Sequence, residues 1–219
     1  MRQAGRLPWP APDELDDAQR ALHRALAGDD WSAGDSAVPV TDETGRLLGP
    51  FNTMVLSPAI GARVSELGVA LRHRSSLTGR ERELAVLCVA AVERSGFEWA
   101  GHLRPALAAG LSEGELRTLL DGRAPASATA REQQVHRLVT SLARHRDLSD
   151  EEFQEAVRTL GVVVVVELVW LVGYYALIAL SLRVGRAPMP GGRPDPFAQP
   201  PPPTTHDDAA TSGQPRSTT

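Results

Sequence analysis

Apolar residues recur every three or four positions along most of the chain. The stretch "ERELAVLCVAAVE" is an example, and no stretch alternates apolar and polar residues as a half-buried strand does. Residues 13–27 share the helical spacing, whereas residues 29–50 are polar and glycine-rich, which predicts a loop. A further helix is expected to begin at Ser57, with Pro58 in its first turn. The pattern predicts an all-α fold of about seven or eight helices.

Three motifs of the capping-box type mark further helix starts. They are TGRE, SEGE and SDEE, which begin at residues 78, 112 and 149. In each motif a Ser or Thr caps the helix and a Glu three residues later returns a hydrogen bond to it. We expect helices over 78–93, 112–120 and 149–160. Another helix is expected from about Phe97 to Ala109, because Gly110 suits a helix end.

One segment is long and apolar enough to imitate a membrane span, "GVVVVVELVWLVGYYALIALSL", residues 161–182. It contains Glu167, and a carboxylate is costly in lipid. We therefore expect a buried helix that forms oligomer contacts, and no membrane span. The residues after it, 186–219, are rich in Pro, Gly, Ser and Thr and predict a disordered tail. Residues 1–185 then form one folded domain.

The composition excludes several classes of chemistry. The chain has 219 residues, a formal net charge of -4 and no basic block, so a nucleic-acid partner is not expected. It contains no lysine, which excludes lysine Schiff-base chemistry. Its single cysteine, Cys88, excludes a CxxC redox pair and fits a cytoplasmic location.

The stretch "RSGFEWAGHLRP", residues 94–105, carries the candidate chemistry. Glu98 and His102 are four residues apart, so they share one face of the predicted helix. A histidine beside a carboxylate suits proton transfer near neutral pH. The same spacing is also typical of an ordinary ion pair on a helix, and the sequence pattern alone leaves both interpretations open.

Three pieces of the chain carry a family resemblance: "RERELAVLCVAA", "FEWAGHLRPALAAGLSEGEL" and, near the end, "ELVWLVGYYALIALSL". Together they resemble the carboxymuconolactone decarboxylase family, which also contains the AhpD-like alkylhydroperoxidases. The last piece is similar to the closing helix of one large subgroup with an E-W-x-x-H segment. The resemblance extends over about residues 6–184. It implies an AhpD-like helical domain that assembles into a homo-oligomer, a trimer or a hexamer.

The resemblance also implies positions for site residues. Redox members of the family use a glutamate, a CxxC pair and a histidine, which fall here on Glu83, on Ser95 and Glu98, and on His102. Both redox sulfurs are therefore absent. Because a thiolate must attack the peroxide, peroxidase or peroxiredoxin activity of that type is disfavoured.

The decarboxylase branch needs neither a thiol nor a cofactor, and implies a lyase of aromatic catabolism. We expect a small carboxylated lactone or carbonyl compound as substrate, His102 as the acid/base, and Glu83 or Glu98 to orient it. The residues expected to line the pocket or hold the substrate are Phe97, Trp99, Ser95 and Arg104, with Arg94 as a further candidate for the substrate carboxylate.

Two other classes of function stay open at this point. Glu83, Glu98 and His102 would together offer oxygen and nitrogen ligands for iron, manganese or zinc, although our expectation is that no metal or cofactor is bound. The third class is a non-catalytic helical oligomer that binds a ligand.

Overall fold

The computed structural model describes residues 3–28 and 38–198. Within these ranges, helices of the α type make up almost all of the regular structure. Their bounds are α1 Asp17–Leu26, α2 Pro50–Val55, α3 Pro58–His73, α4 Gly79–Glu93, α5 Gly96–Ala108, α6 Glu113–Leu120, α7 Ala130–His145, α8 Asp150–Leu160 and α9 Val162–Gly185. The predicted all-α fold is confirmed, with nine α-helices in the described residues.

Side-chain caps fix where several helices begin. The three predicted capping boxes are all present, with Thr78, Ser112 and Ser149 each accepting a hydrogen bond from a backbone N–H three residues later. The expected start of the first helix was wrong. Pro12–Glu14 form a separate 3₁₀ turn, and α1 begins after Asp16, whose carboxylate caps the Gln19 N–H.

The core is organised around α4. Residues 83–90 of α4 are all buried, among them Leu84, Val86, Leu87 and Val89 with no exposed area. The helix packs most extensively against α7 and also against α5 and α9. Because this middle part of α4 is enclosed by its neighbours, a polar side chain in it needs a partner inside the protein.

Two elements near the N-terminus were not expected from the sequence. Gln3–Ala4 and Leu7–Pro8 pair as a two-residue antiparallel hairpin. The second is α2, which begins at Pro50, the last residue of the predicted loop 29–50. Residues 29–37 of that loop lie outside the described residues. With only six residues, α2 is too short to show helical spacing, and it is held by packing against α3.

The prediction of a disordered tail is wrong for residues 186–198. Residues 186–198 pack against the domain, with Ala187, Met189 and Phe197 against the core. The Phe197 ring meets the edge of Trp99 at 5.9 Å, and its carbonyl accepts a hydrogen bond from Arg94. The few apolar residues in this polar segment are sufficient to anchor it. The rest of the predicted tail, 199–219, lies outside the described residues.

Helix α9 is long and apolar enough to be a candidate membrane span, with a mean hydropathy of 2.3 in its most apolar window. Half of that window is buried against the other helices. Glu167 accepts hydrogen bonds from the backbone N–H and the hydroxyl of Ser76, which joins α9 to the loop before α4. The other face of α9 is apolar and exposed, with Val163, Trp170, Leu177, Leu180 and Val184.

Candidate active site

A small cavity lies where α2, α3, α5 and α9 meet. It has a volume of about 70 Å³, enough for a few water molecules or a small chemical group. Most of its wall is apolar or aromatic. The residues that line it are Val38, Pro50, Phe51, Met54, Arg72, Phe97, Glu98, Gly101, His102, Tyr174, Tyr175 and Ile178.

A buried hydrogen bond between Glu83 and His102 joins α4 to α5 at this cavity. The Glu83 Oε2 lies 2.8 Å from the His102 Nδ1, and both residues are buried. Burial alone would raise the pKa of Glu83, but the charge and hydrogen bond of His102, helped by Arg82 and Arg72, outweigh it and lower the pKa. Glu83 is therefore ionised and fixes the orientation of the imidazole. Nε2 makes no hydrogen bond to any described residue.

Glu98 lies one helical turn before His102 on α5 and lines the same cavity. Only 4% of the residue is exposed, and neither carboxyl oxygen has a hydrogen-bond partner within the described part of the chain. Burial raises the pKa of Glu98 to about 8. The nearby Ser95 hydroxyl lowers that pKa in part, although it makes no hydrogen bond with either carboxyl oxygen. Glu98 is thus largely a neutral carboxylic acid at pH 7.

The open question of which carboxylate contacts His102 is answered by these two geometries. Glu83, nineteen residues away in sequence, holds the imidazole, and Glu98 does not. The helical ion pair between Glu98 and His102 is therefore not formed. Instead, two carboxyl groups with pKa values displaced in opposite directions flank one histidine, an arrangement suited to acid–base chemistry.

Two tyrosines of α9 complete the polar side of the cavity. The Tyr175 ring meets the His102 ring edge to face at 5.2 Å, and Tyr174 meets Tyr175 at the same distance. Burial raises the pKa of both phenols, so they remain neutral and can donate a hydrogen bond. Because the two are adjacent in the closing-helix motif, the sequence predicts that at most one of them reaches the site, but both line the cavity.

Arg72 is a site residue that the sequence analysis missed. It occupies the last turn of α3 and is half-buried at the cavity wall. Its positive charge contributes to lowering the pKa of Glu83. No local motif marks Arg72, since it meets the other site residues only through the packing of α3.

The structure brings some of the predicted substrate contacts to the cavity and not others. Phe97 lines it. Ser95 lies beside a separate hollow near Arg94 and the end of α9. Trp99 is buried against Phe197 and does not face the cavity. Arg104 is exposed, and it lies about 10 Å beyond Phe97 along the axis of α5. Ser95, Trp99, Arg104 and Arg94 therefore do not line this cavity.

The three candidate metal ligands of the sequence analysis are not arranged as a metal site. In residues 3–28 and 38–198, no group of three or more His, Cys, Asp or Glu side chains is arranged to hold a metal ion. Glu83, Glu98 and His102 thus do not form a joint ligand set.

Cys88 is buried in α4, away from the cavity, and burial raises its pKa to about 12. A thiol in that setting is not a nucleophile near neutral pH.

Comparison with known proteins identifies the central part of the chain. Residues 58–141 match the model of the carboxymuconolactone decarboxylase family. The match spans well under half of the chain and shows that this segment is similar to that family. The match includes Arg72, Glu83, Glu98 and His102, whereas the family segment does not extend to the tyrosines of α9.

A solved structure shows the same fold over nearly the whole chain. It is the alkylhydroperoxidase AhpD core of an uncharacterized peroxidase-related protein from Ralstonia eutropha JMP134. The TM-score is 0.63 at 16% identity, and the match covers 90% of this chain and 96% of that one. No curated protein shows significant sequence similarity. The fold is therefore AhpD-like, and residues 58–141 within it match the family model.

Proposed function

We propose that this protein is a cofactor-independent enzyme that transfers protons to a small carboxylated lactone or carbonyl compound, with decarboxylation as its reaction. The observation that carries the proposal is the pairing of an oriented imidazole with a neutral carboxylic acid in one cavity. His102 is held by ionised Glu83 at 2.8 Å, and the unpartnered Glu98 lies one turn away. The match of residues 58–141 to the carboxymuconolactone decarboxylase family supports this reaction class.

The reaction needs no external oxidant or reductant. The bond between the ring carbon and the departing carboxylate breaks, and its electron pair enters the conjugated lactone as a dienolate. Carbon dioxide leaves, and a proton is delivered to carbon. We assign that proton transfer to His102 through Nε2, because Nδ1 is engaged by Glu83. Glu98 is the second acid, and the neutral Tyr175 phenol is available to the enolate oxygen.

The volume of the cavity limits how a substrate binds. About 70 Å³ admits the reacting group but not a whole lactone. The remainder of the molecule must stay outside or displace aromatic side chains such as Phe51 and Phe97, which line the cavity.

Proton NMR of 4-carboxymuconolactone in deuterated buffer tests the proposal. We expect wild type to release carbon dioxide and to place deuterium in the product, and His102→Gln to be slower by about 10²- to 10⁴-fold. His136→Gln is the matched control, because His136 is equally buried but lies on α7 outside the cavity. An inactive wild type would contradict decarboxylation of this lactone, and a fully active His102→Gln would contradict the role of His102.

We also propose that the protein works as a homo-oligomer. The exposed apolar face of α9, together with Ile60 and Leu67 of α3, supports this, because large apolar areas on a soluble surface are usually covered by a partner. Light scattering coupled to size exclusion tests it. A monomer at micromolar concentration would contradict the proposal, and Trp170→Glu is expected to shift an oligomer towards monomer.

A further inference from the structure

Arg72 stands out among the cavity residues because of its charge. The titratable residues among the described ones that line the cavity are Arg72, Glu98, His102, Tyr174 and Tyr175. Arg72 alone in this group carries a fixed positive charge, since a guanidinium does not lose its proton in proteins. Glu83 carries the nearby negative charge, but it lies behind His102 and is not part of the cavity wall.

The cavity wall therefore favours an anion. Glu98 is mostly neutral at pH 7, so it does not repel a carboxylate that enters. The positive charge of Arg72 acts to lower the pKa values of Glu83, Tyr174 and Tyr175, which line the cavity or lie next to it. An anion bound to Arg72 would be within the same small volume as His102, because about 70 Å³ leaves no room for a distant subsite.

We propose that Arg72 fixes a carboxylate of the substrate in this cavity and so restricts the substrate to anions. This assignment rests on the proposed function and adds the residue that determines specificity. A guanidinium has five N–H donors in a planar fork, and two of them suffice to bind a carboxylate bidentately. Arg72 can therefore bind substrate while its other donors contact the protein. A lysine would supply the charge without the fork.

The test compares propionate with propionamide, two probes of the same size that differ in charge. Ligand-observed NMR titrations give the dissociation constant of each for wild type, Arg72→Gln, Arg72→Lys and Arg74→Gln. Arg74 is the matched control, because it is exposed at the end of the same helix and does not line the cavity. We expect wild type and Arg74→Gln to prefer propionate about tenfold, from charge-assisted hydrogen bonds. Arg72→Gln should lose the preference and Arg72→Lys should keep part of it.

Two results would overturn the assignment: no preference in wild type, or an unchanged preference in Arg72→Gln. If Arg72→Gln does not fold, Arg72→Lys decides, since a preference reduced about threefold supports the bidentate contact and an unchanged one contradicts it. The proposed function fails separately. A propionate preference that depends on Arg72, in a protein that never turns over the lactone, supports the anion site and contradicts the reaction. Turnover that His102→Gln abolishes, with an unchanged KM in Arg72→Gln, supports the reaction and contradicts the anion site.

Discussion

Helix α4 contributes carboxylates to two buried polar clusters that differ in how completely their charges are paired. In the first, which we call the paired cluster, each carboxylate meets an arginine and also closes a capping box. Arg80 bonds to Glu115 and, at 2.7 Å, to Glu132, while Arg131 bonds to Glu81. The second cluster is at the cavity, where Glu83 meets His102 and Glu98 meets nothing among the described residues.

The two clusters displace carboxyl pKa values in opposite directions. The hydrogen bond from Arg80 lowers the pKa of Glu115 to about 2, whereas burial without a partner raises that of Glu98 to about 8. Complete pairing removes a carboxylate from proton chemistry at neutral pH and ties α4 to α6 and α7. Incomplete pairing costs stability but leaves a group that can give up a proton near neutral pH. We infer that the first cluster is structural and the second chemical.

The largest expected effect comes from Glu83→Gln at the cavity. Removing the carboxylate that orients His102 should lower kcat about 10²- to 10³-fold, because the amide can favour the wrong imidazole tautomer. Glu81→Gln, two residues away in the paired cluster, is the control and should reduce stability without changing kcat. Steady-state kinetics on the lactone measure both. Equal losses of kcat in the two variants would remove the functional distinction between the clusters.

The next effect is the pH dependence of stability in Glu98→Gln. The folded-state pKa of Glu98 is raised to about 8 from its ordinary value of 4.5, so its favourable contribution is complete below about pH 4.5 and is lost as pH rises through 8. As the pH rises from 5 to 8, the free energy of unfolding of wild type should therefore fall relative to that of Glu98→Gln, by on the order of 1 kcal/mol per pH unit. Urea unfolding at several pH values measures this, and parallel curves would contradict a neutral Glu98.

A smaller effect is expected when the paired cluster is opened. Arg80→Met removes the partner of both Glu115 and Glu132. The arginine is partly exposed, so we expect a loss of about 2 kcal/mol in the free energy of unfolding, less than for a fully buried pair. Urea unfolding at pH 7 measures the loss, and the propionate dissociation constant should stay unchanged. A change in that constant with little loss of stability would reverse the assignment of the two clusters.

Cys88→Ala should have the smallest effect. Cys88 is a buried apolar side chain with a pKa of about 12, so its loss leaves a small cavity worth about 1 kcal/mol. Lactone turnover should not change, and the wild type should not reduce peroxide through this thiol. Peroxide-dependent loss of the Cys88 thiol during turnover would contradict this and revive the peroxidase alternative.

The fold was predictable from local signals. The Ser and Thr caps at residues 78, 112 and 149 mark where three helices begin, because short-range hydrogen bonds determine those boundaries. Helix α2 was not predictable, because six residues that include Pro50 and Asn52 carry no helical period. Its position depends on contacts with α3 that only the folded chain makes.

The site was predictable only in part. Glu83, Glu98 and His102 were found through the family resemblance, while the spacing of Glu98 and His102 suggested a pair that does not form. Spacing along one helix says nothing about a competing carboxylate on a neighbouring helix. Arg72 and Tyr175 come from α3 and α9, so their meeting at the cavity depends on tertiary packing.

Carbon-13 NMR of the glutamate carboxyl groups, followed from pH 4 to pH 10, tests the central claim most directly. The account predicts one carboxyl resonance that titrates near pH 8 and is absent in Glu98→Gln. If every glutamate resonance of the wild type instead titrates below about pH 5.5, as an ordinary carboxyl does, Glu98 is ionised at neutral pH and the cavity lacks its proposed acid.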